Sequence, residues 1–359
     1  MRYDFLVVGN GPTGSHAAAY AAKRFETAIV GSGGRRVQCA GLISISGLKR
    51  IGAPEGDYVI NRIRGARIHS PGGVMVEVDA RKPVAYAVDR LAFDERLLEE
   101  ALDAGAKHIV GQARSLRSGV KLSDGKTVEA DRTILATGSD FTLQIQEGLD
   151  RPKDFLVGGQ YEMKVDCDRD FVELHFCVPD FFAWVIPLGD SARVGLCVRG
   201  NPRPYLDAFV KKLGKRVKSG RILSESFGII PVHDPRVRTQ YPNLVTVGDA
   251  AGQVKASTGG GIIFGCIAAE HATAPDYERL WRAEIGRDLK MHLMIHRVLG
   301  RMSDRGKDRF FRMIKGSSGI LERQGDMDFA EKTAWAFLMD PGFVAKATVN
   351  LPWLLADIL

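Results

Sequence analysis

The sequence predicts an α/β fold: a parallel-sheet domain, an antiparallel-sheet domain interleaved with it along the chain, and a C-terminal helical region. Three observations predict it. The chain opens with an apolar run, Tyr3-Asp4-Phe5-Leu6-Val7-Val8, which suits a buried parallel strand. From Val157 to Val198 the pattern changes to period-two alternation, the mark of half-buried strands. From Pro275 onward the apolar residues Trp281, Ile285, Leu289 and Met294 fall near helical spacing.

The first run leads into Gly9-x-Gly11-x-x-Gly14, with Pro12 and Thr13 between the last two glycines, and then into the small-residue helix Ser15 to Ala22. Strand, glycines and helix in that order make a Rossmann-like unit. Gly9 allows the tight turn, Gly11 allows a pyrophosphate to approach the backbone, and Gly14 lets helix and strand pack closely. The helix N-terminus presents N–H groups and a positive dipole end to the phosphates.

Thr27 to Val30 is the second strand. A ribose-binding carboxylate is usual about 20 residues past the first glycines. Gly31-Ser32-Gly33-Gly34-Arg35-Arg36 stands there instead. Two readings follow: the Ser32 hydroxyl replaces the carboxylate, or Arg35 and Arg36 meet a 2′-phosphate, which would mean NADP. In Val37-Gln38-Cys39-Ala40-Gly41-Leu42 small residues again invite a ligand.

Gly72-Gly73 is read as the turn between strands Ala66 to His69 and Val74 to Val78. A helix begins near Arg90 with Phe93, Leu97, Ala101 and Leu102 as its apolar face, and Gly105 stops it. Short strands follow at Ala106 to Val110, Val120 to Leu122 and Thr127 to Val128, and a buried strand runs from Arg132 into Ala136-Thr137-Gly138. Phe171 to Val178, Phe182 to Leu188 and Ala192 to Val198 are expected to be antiparallel, and Pro204 to Leu213 helical. Leu244 to Val247 returns to the first type of strand and enters Gly248-Asp249-Ala250-Ala251-Gly252. A second glycine-opened helix follows, with Gly260, Gly261 and Ile262 at its start.

The domain organisation expected is therefore discontinuous: residues 1–55, 86–150 and 240–275 for the dinucleotide domain, 56–85 and 151–239 for the substrate domain, and 276–359 for the helical region.

Composition narrows the function. The chain has 359 residues, 45% of them hydrophobic and 26% charged, ordinary for a globular protein with a sizeable core. No apolar run is long enough to span a bilayer, and the N-terminus enters a strand at once, so a signal peptide is not expected. Five cysteines, without a Cys-x-x-Cys pair, argue against a disulfide framework or a zinc site, and no metal is expected. The location read from this is cytoplasmic. The net charge of +7 suits anionic ligands or an anionic membrane surface, and equally a solvated surface. Lys211 to Lys218, the densest basic stretch, has no interleaved aromatics, so nucleic acid is not expected as a partner. No Gly-x-Ser-x-Gly is present, and neither a metal-dependent nor a serine hydrolase is expected.

The distal strand ending in Gly248-Asp249 identifies the nucleotide as FAD. A flavin end lies far from the first glycines, a second helix N-terminus meets it, and Asp249 can accept hydrogen bonds from ribityl hydroxyls.

Taken together, Gly9-x-Gly11-x-x-Gly14, Arg90-x-x-Phe93-Asp94-x-x-Leu97, Ala136-Thr137-Gly138 and Gly248-Asp249-Ala250 resemble the FAD enzymes of the para-hydroxybenzoate hydroxylase type. Within them the chain looks most like the geranylgeranyl reductases of archaeal type. Val37 to Leu42, Phe182-Ala183-Trp184-Val185-Ile186-Pro187, Gly248 to Lys255 with Thr258 to Gly261, and Tyr277 to Arg282 carry that resemblance. Three features depart from the family pattern: the missing acidic residue, Phe182 and Ile186 in place of its flanking aromatics, and a shorter chain.

The resemblance implies FAD contacts at Gly9, Gly11, Pro12, Thr13, Gly14 and Ser32. It implies others at Cys39, Ala40, Gly41, Arg90, Ala113, Thr137 and Gly138, and again at Gly248, Asp249, Gly260, Gly261 and Ile262. A cation at Arg90 opposes the helix dipole, which hints at an anionic partner, and the resemblance supplies the FAD pyrophosphate. Phe182, Trp184 and Ile186 alternate and share one strand face, a lining for an apolar channel or ordinary core, and Pro187 should end the strand. Cys39 is the candidate proton donor, packing against the flavin being the competing reading. Met291, Met294 and Met302 would offer a long chain an adaptable surface.

The implied activity is saturation of carbon–carbon double bonds in geranylgeranyl or other polyprenyl chains of membrane lipids or their diphosphate precursors. An FAD monooxygenase or halogenase of the same fold, and a flavin electron carrier to a membrane quinone, are the alternatives. The electron donor stays open between NADPH, ferredoxin and a reduced deazaflavin, so an electron-donor protein is one candidate partner. Peripheral contact with the inner face of the membrane is the expected consequence of a lipid substrate.

Overall fold

A computed structural model describes residues 2–32, 37–53, 55–116 and 119–358. Residues 33–36 lie outside it, and with them the reading of Arg35 and Arg36 as a 2′-phosphate site. The strand Arg2–Val8 is central in the first sheet. It pairs in parallel with Thr27–Gly31 on one side and Thr127–Leu135 on the other; Leu244–Thr246 and Lys107–Val110 extend the sheet outward. Val7 is completely buried under helices, among them Pro12–Ala22, Arg90–Asp103 and Ile262–Ala269, and Leu6, on the other face, is buried among Val120, Leu122, Val128 and Leu143.

The second sheet has the order Val217–Pro231, Phe155–Val165, Ala192–Val198, Ala183–Pro187, Phe171–His175, Gly65–His69, Met75–Asp79. The expected antiparallel strands pair as such, and the turn at Gly72-Gly73 joins the last two. Phe171–His175 and Gly65–His69 run parallel. A small third sheet, Leu42–Ser44, Ala85–Val88 and Val59–Ile63, takes strands from both sides of the expected 55/56 boundary and carries the chain between the two large sheets.

Several elements differ from the sequence reading. Thr127–Leu135 is one strand rather than two, since it exchanges an antiparallel partner, Val120–Leu122, for the parallel Arg2–Val8 along its length. Val217–Pro231 is a fifteen-residue strand that periodicity did not mark. It is an edge strand, exposed over most of its length, and so lacks an alternating apolar face. Leu102 is on the outer side of its helix, and Phe93, Leu97 and Ala101 face the core. In the long helix Tyr277–Arg301, Leu293, His292 and His296 turn inward while Met294 is exposed. Met302 is core, so the methionines do not form one surface.

Candidate functional site

The first glycine motif is built as a cradle. Gly9 has φ +111°, and a Cβ there would meet the Ala136 carbonyl oxygen at 2.2 Å. A Cβ at Gly14 would meet the Gly9 oxygen at 1.9 Å, so strand and helix touch backbone to backbone. Gly11 caps the Pro12–Ala22 helix without a side-chain hydrogen bond, which leaves the N–H groups of its first turn for a ligand. Thr13 connects this motif to the late one: Cβ atoms at Gly248 and Gly265 would meet its Oγ1 at 2.9 and 2.5 Å. The Asp249 carboxylate lies against Gly261, whose Cβ would meet Oδ1 at 2.3 Å, and the helix begun by Ile262 also lacks a side-chain cap. Gly138 is open on its Cβ side, and Thr137 Oγ1 donates to the Asp140 carbonyl. The Ser32 carbonyl accepts a 3.4 Å hydrogen bond from Asn10 Nδ2. Ala113 starts a short strand, Ala113–Ser115, paired with Val120–Leu122 at the periphery of the sheet.

The Cys39 loop is held from the second sheet. Arg193 Nη1 donates to the carbonyls of Ala40 (2.9 Å) and Val88 (3.0 Å), and Gln160 Nε2 donates to that of Cys39 (3.0 Å). Gly41 has φ +66°, and a Cβ there would collide with Arg193 Nη1, so the turn needs glycine. Its N–H points at Cys39 Sγ, 3.4 Å away. Arg90 is buried and pairs with Asp94 one turn along its helix (Nη2 to Oδ1 2.9 Å, Nε to Oδ1 3.1 Å), so it is not a solvated arginine. Asp89 caps that helix by accepting from the N–H groups of Leu91 and Ala92. Burial alone would favour a neutral guanidinium, yet the neighbouring Cys39 sulfur and Asp94 carboxylate raise the Arg90 pKa. Burial lowers that of Arg193. The cationic head of Arg90 thus sits beside the Cys39 thiol.

Phe182, Trp184 and Ile186 converge on one apolar cluster with Leu156, Cys197 and Ala256, against which Ala40 and Leu42 of the Cys39 loop pack. Trp184 lies opposite Gly195, where a Cβ would meet its ring at 2.5 Å. Pro187 ends the strand as expected. Two buried polar atoms here have no partner, Trp184 Nε1 and Gln160 Oε1, and Thr258 Oγ1, just before the late glycines, is a third. Orphaned donors and acceptors beside uncapped helix ends and glycine cradles suit a large polar-edged aromatic ligand such as a flavin dinucleotide.

Behind the late glycines lies a buried polar network that sequence reasoning missed. Lys255 Nζ pairs with Asp328 and donates to the Met327 carbonyl at 3.2 Å; Ser44 Oγ donates to the other Asp328 oxygen. A Cβ at Gly260 would meet Lys255 Cε at 2.9 Å. His292 Nε2 is 2.8 Å from the Asp328 carbonyl oxygen, which can only accept, so Nε2 carries the proton and Nδ1 accepts from Ser257 Oγ at 2.6 Å. Burial, then the Lys255 charge, pushes the His292 pKa down to about 4. The available signal was a lysine inside a loop of small residues.

No family model matches the chain. It is 32% identical to digeranylgeranylglycerophospholipid reductase 2 of Methanothermobacter thermautotrophicus over 88% of its own length and 92% of the relative's. It is 33% identical to digeranylgeranylglycerophospholipid reductase of Methanocaldococcus jannaschii, over 84% and 88%. The chain belongs to the digeranylgeranylglycerophospholipid reductase family.

Among solved structures, a geranylgeranyl bacteriochlorophyll reductase-like protein from Thermoplasma acidophilum superposes with a TM-score of 0.82, at 24% identity, over 97% of this chain and 98% of that one. The flavin-dependent brominase Bmp2 reaches 0.67 at 14% identity over 98% and 99%. Both share the fold, which is one used by flavin-dependent enzymes. The likeness to a halogenase is thus one of fold, and kinship in sequence is with the reductases.

In this reductase the residues brought together by the fold are the two glycine motifs, through Thr13, and the Cys39 loop with the Trp184 strand, through Arg193, Gln160 and the apolar cluster. Ala113 and Ser32 lie apart from the Trp184 cluster. Arg193, Gln160 and Asp328 join the site without having been marked in the sequence, and Lys255 was marked only as the end of the Gly248 to Lys255 stretch. Among the described residues, one group could hold a metal ion: His69, Glu173 and His175. There Arg216 already donates to both Glu173 oxygens, at 2.5 and 2.9 Å, and supplies the positive charge.

Proposed function

We propose that this chain is an FAD-dependent reductase that saturates carbon–carbon double bonds in the geranylgeranyl chains of membrane lipids or their diphosphate precursors. The observation that carries the proposal is the meeting of the Cys39–Ala40–Gly41 loop with the buried Phe182–Trp184–Ile186 face. A thiol and a water-excluding apolar wall stand next to the late glycine loop, whose Ala256 joins the same cluster and whose Gly259 faces Phe181, the arrangement a hydride transfer to a hydrocarbon needs.

The first glycine motif would hold the FAD pyrophosphate, Ser32 the adenosine ribose, and Gly248 and Asp249 the ribityl chain. Gly260, Gly261 and Ile262 would back the ring, with Cys39, Ala40, Gly41 and Arg90 nearby; Ala113, Thr137 and Gly138 complete the assigned contacts. Bound and reduced, FAD supplies a hydride. An isolated trisubstituted alkene is a poor hydride acceptor, so proton donation that builds tertiary cation character assists. Cys39 Sγ is the group assigned to hold that proton. The apolar cluster around Trp184 keeps water from the cationic carbon. Arg193 and Gln160 fix the loop, so the thiol keeps its place as the substrate enters. No second dinucleotide motif is present, and NADPH, ferredoxin or a reduced deazaflavin would each serve as electron source.

The test is mass spectrometry of an archaeol-type unsaturated lipid before and after incubation with dithionite-reduced holoenzyme. Gains in two-hydrogen steps are expected. Oxygen consumption with NADPH and an oxygenated or halogenated product would replace this reading with the monooxygenase alternative. Flavin redox cycling with an unchanged lipid mass would leave an electron carrier.

A further inference from the structure

The last helices expose apolar surface beside a basic stripe. Trp335, Leu338 and Met339, spaced to share one helical face, are 56%, 60% and 77% exposed. The helix that follows, Pro341–Ile358, has one lysine and one aspartate in its sequence. Its Asp357 accepts from Ser303 Oγ and the Ser303 N–H, and its Val349 is exposed. No described helix is long and apolar enough to cross a membrane.

Charge lies alongside. The helix Asp304–Lys315 buries Phe311 and Met313 and turns Arg305, Arg309, Arg312 and Lys315 outward. Its Asp308 is engaged elsewhere, accepting from Ser70 Oγ and the Gly72 N–H. Arg309 covers the ring of Trp353 at 5.4 Å, and Lys346 Nζ donates to the Gly316 carbonyl, so the basic stripe and the apolar helix are contiguous. Beneath the stripe an aromatic row runs to the candidate site: Phe311 to Phe176 (4.9 Å), Phe176 to Phe182 (5.6 Å) and Phe182 to Trp184 (6.4 Å).

We propose that this surface is where the reductase seats on an anionic lipid bilayer. Resting on the function proposed above, it would deliver the polyprenyl chain from the bilayer toward the Phe182–Trp184 face. Exposed tryptophan and aliphatic side chains with arginines beside them match the acyl boundary and phosphate layer of such a surface. A two-fold dimer through the same face would bring the arginine stripe against its own copy, an unfavourable pairing of like charge.

The experiment uses the FAD-loaded full chain and vesicles of phosphatidylcholine with about one third phosphatidylglycerol at low salt. Two variants, W335D/V349D and R305Q/R312Q, are checked for parental flavin content and melting. The parent should float with the vesicles. Each variant should bind at least about tenfold more weakly and reduce vesicle-embedded lipid correspondingly more slowly, yet turn over detergent-dispersed lipid at the parental rate. Undiminished flotation of both variants would overturn the proposal. So would a dimer in lipid-free solution that W335D/V349D dissociates, which would assign the face to a second copy. Loss of reduction in every format would count against the proposed reaction alone, since flotation still decides the surface.

Discussion

Asp328, from the segment before the Ala330–Leu338 helix, is ion-paired with Lys255 directly behind Gly260, and the two side chains are only 1% and 4% exposed. The C-terminal region thereby closes the back of the late glycine loop. A buried pair of this kind adds little over a hydrophobic replacement, but removing one partner leaves an uncompensated charge. Lys255→Met should cost about 3–5 kcal/mol in a denaturant titration, and Lys255→Met with Asp328→Leu markedly less. Equal losses for the single and double variants would mean the pair is not coupled.

Gly11→Val places a branched side chain at the buried N-cap of the Pro12–Ala22 helix, where the pyrophosphate is assigned. The variant should keep its far-ultraviolet circular dichroism and lose the yellow flavin spectrum. A parental flavin content would remove the first glycine motif from the cofactor site.

Cys39→Ala should retain FAD and be reduced by dithionite as the parent is, and turn over alkene at least about tenfold more slowly, equivalent to about 1.4 kcal/mol of barrier. Cys39→Ser should show the same pattern. Near-parental turnover in Cys39→Ala would leave the thiol a packing role beside Arg90 and transfer proton donation to water or another side chain.

Stability should fall as pH drops below about 6.5, the ordinary histidine value. Burial depresses His69, His233 and His296, and takes His292 to about 4. The unfolded chain therefore binds protons first, and the stabilisation present above pH 6.5 drains away as the pH approaches each folded value. For His292 the window runs from about 6.5 to about 4. Denaturant midpoints between pH 7.5 and 4.5 should decline, and His292→Gln should flatten the decline. A profile unchanged by that substitution would show that His292 titrates alike in both states.

The sequence by itself determined the strand–glycine–helix start, the second glycine-opened helix, the antiparallel Phe171 to Val198 region and the helical C-terminus. Each is written in neighbouring residues: an apolar run before Gly9, alternation through Trp184, a small-residue loop before Ile262. Only the tertiary structure decided which distant groups complete the site. Gln160 reaches Cys39 across 121 residues, Arg193 reaches Ala40 across 153, and Asp328 reaches Lys255 across 73. The edge strand Val217–Pro231 belongs with them, since its pairing with Phe155–Val165 is made by backbone groups rather than by an apolar face. The physical reason is shared. Periodicity records which side of an element meets the core, whereas a buried charge or unpaired carbonyl is satisfied by whatever donor the packing of two sheets brings within about 3 Å.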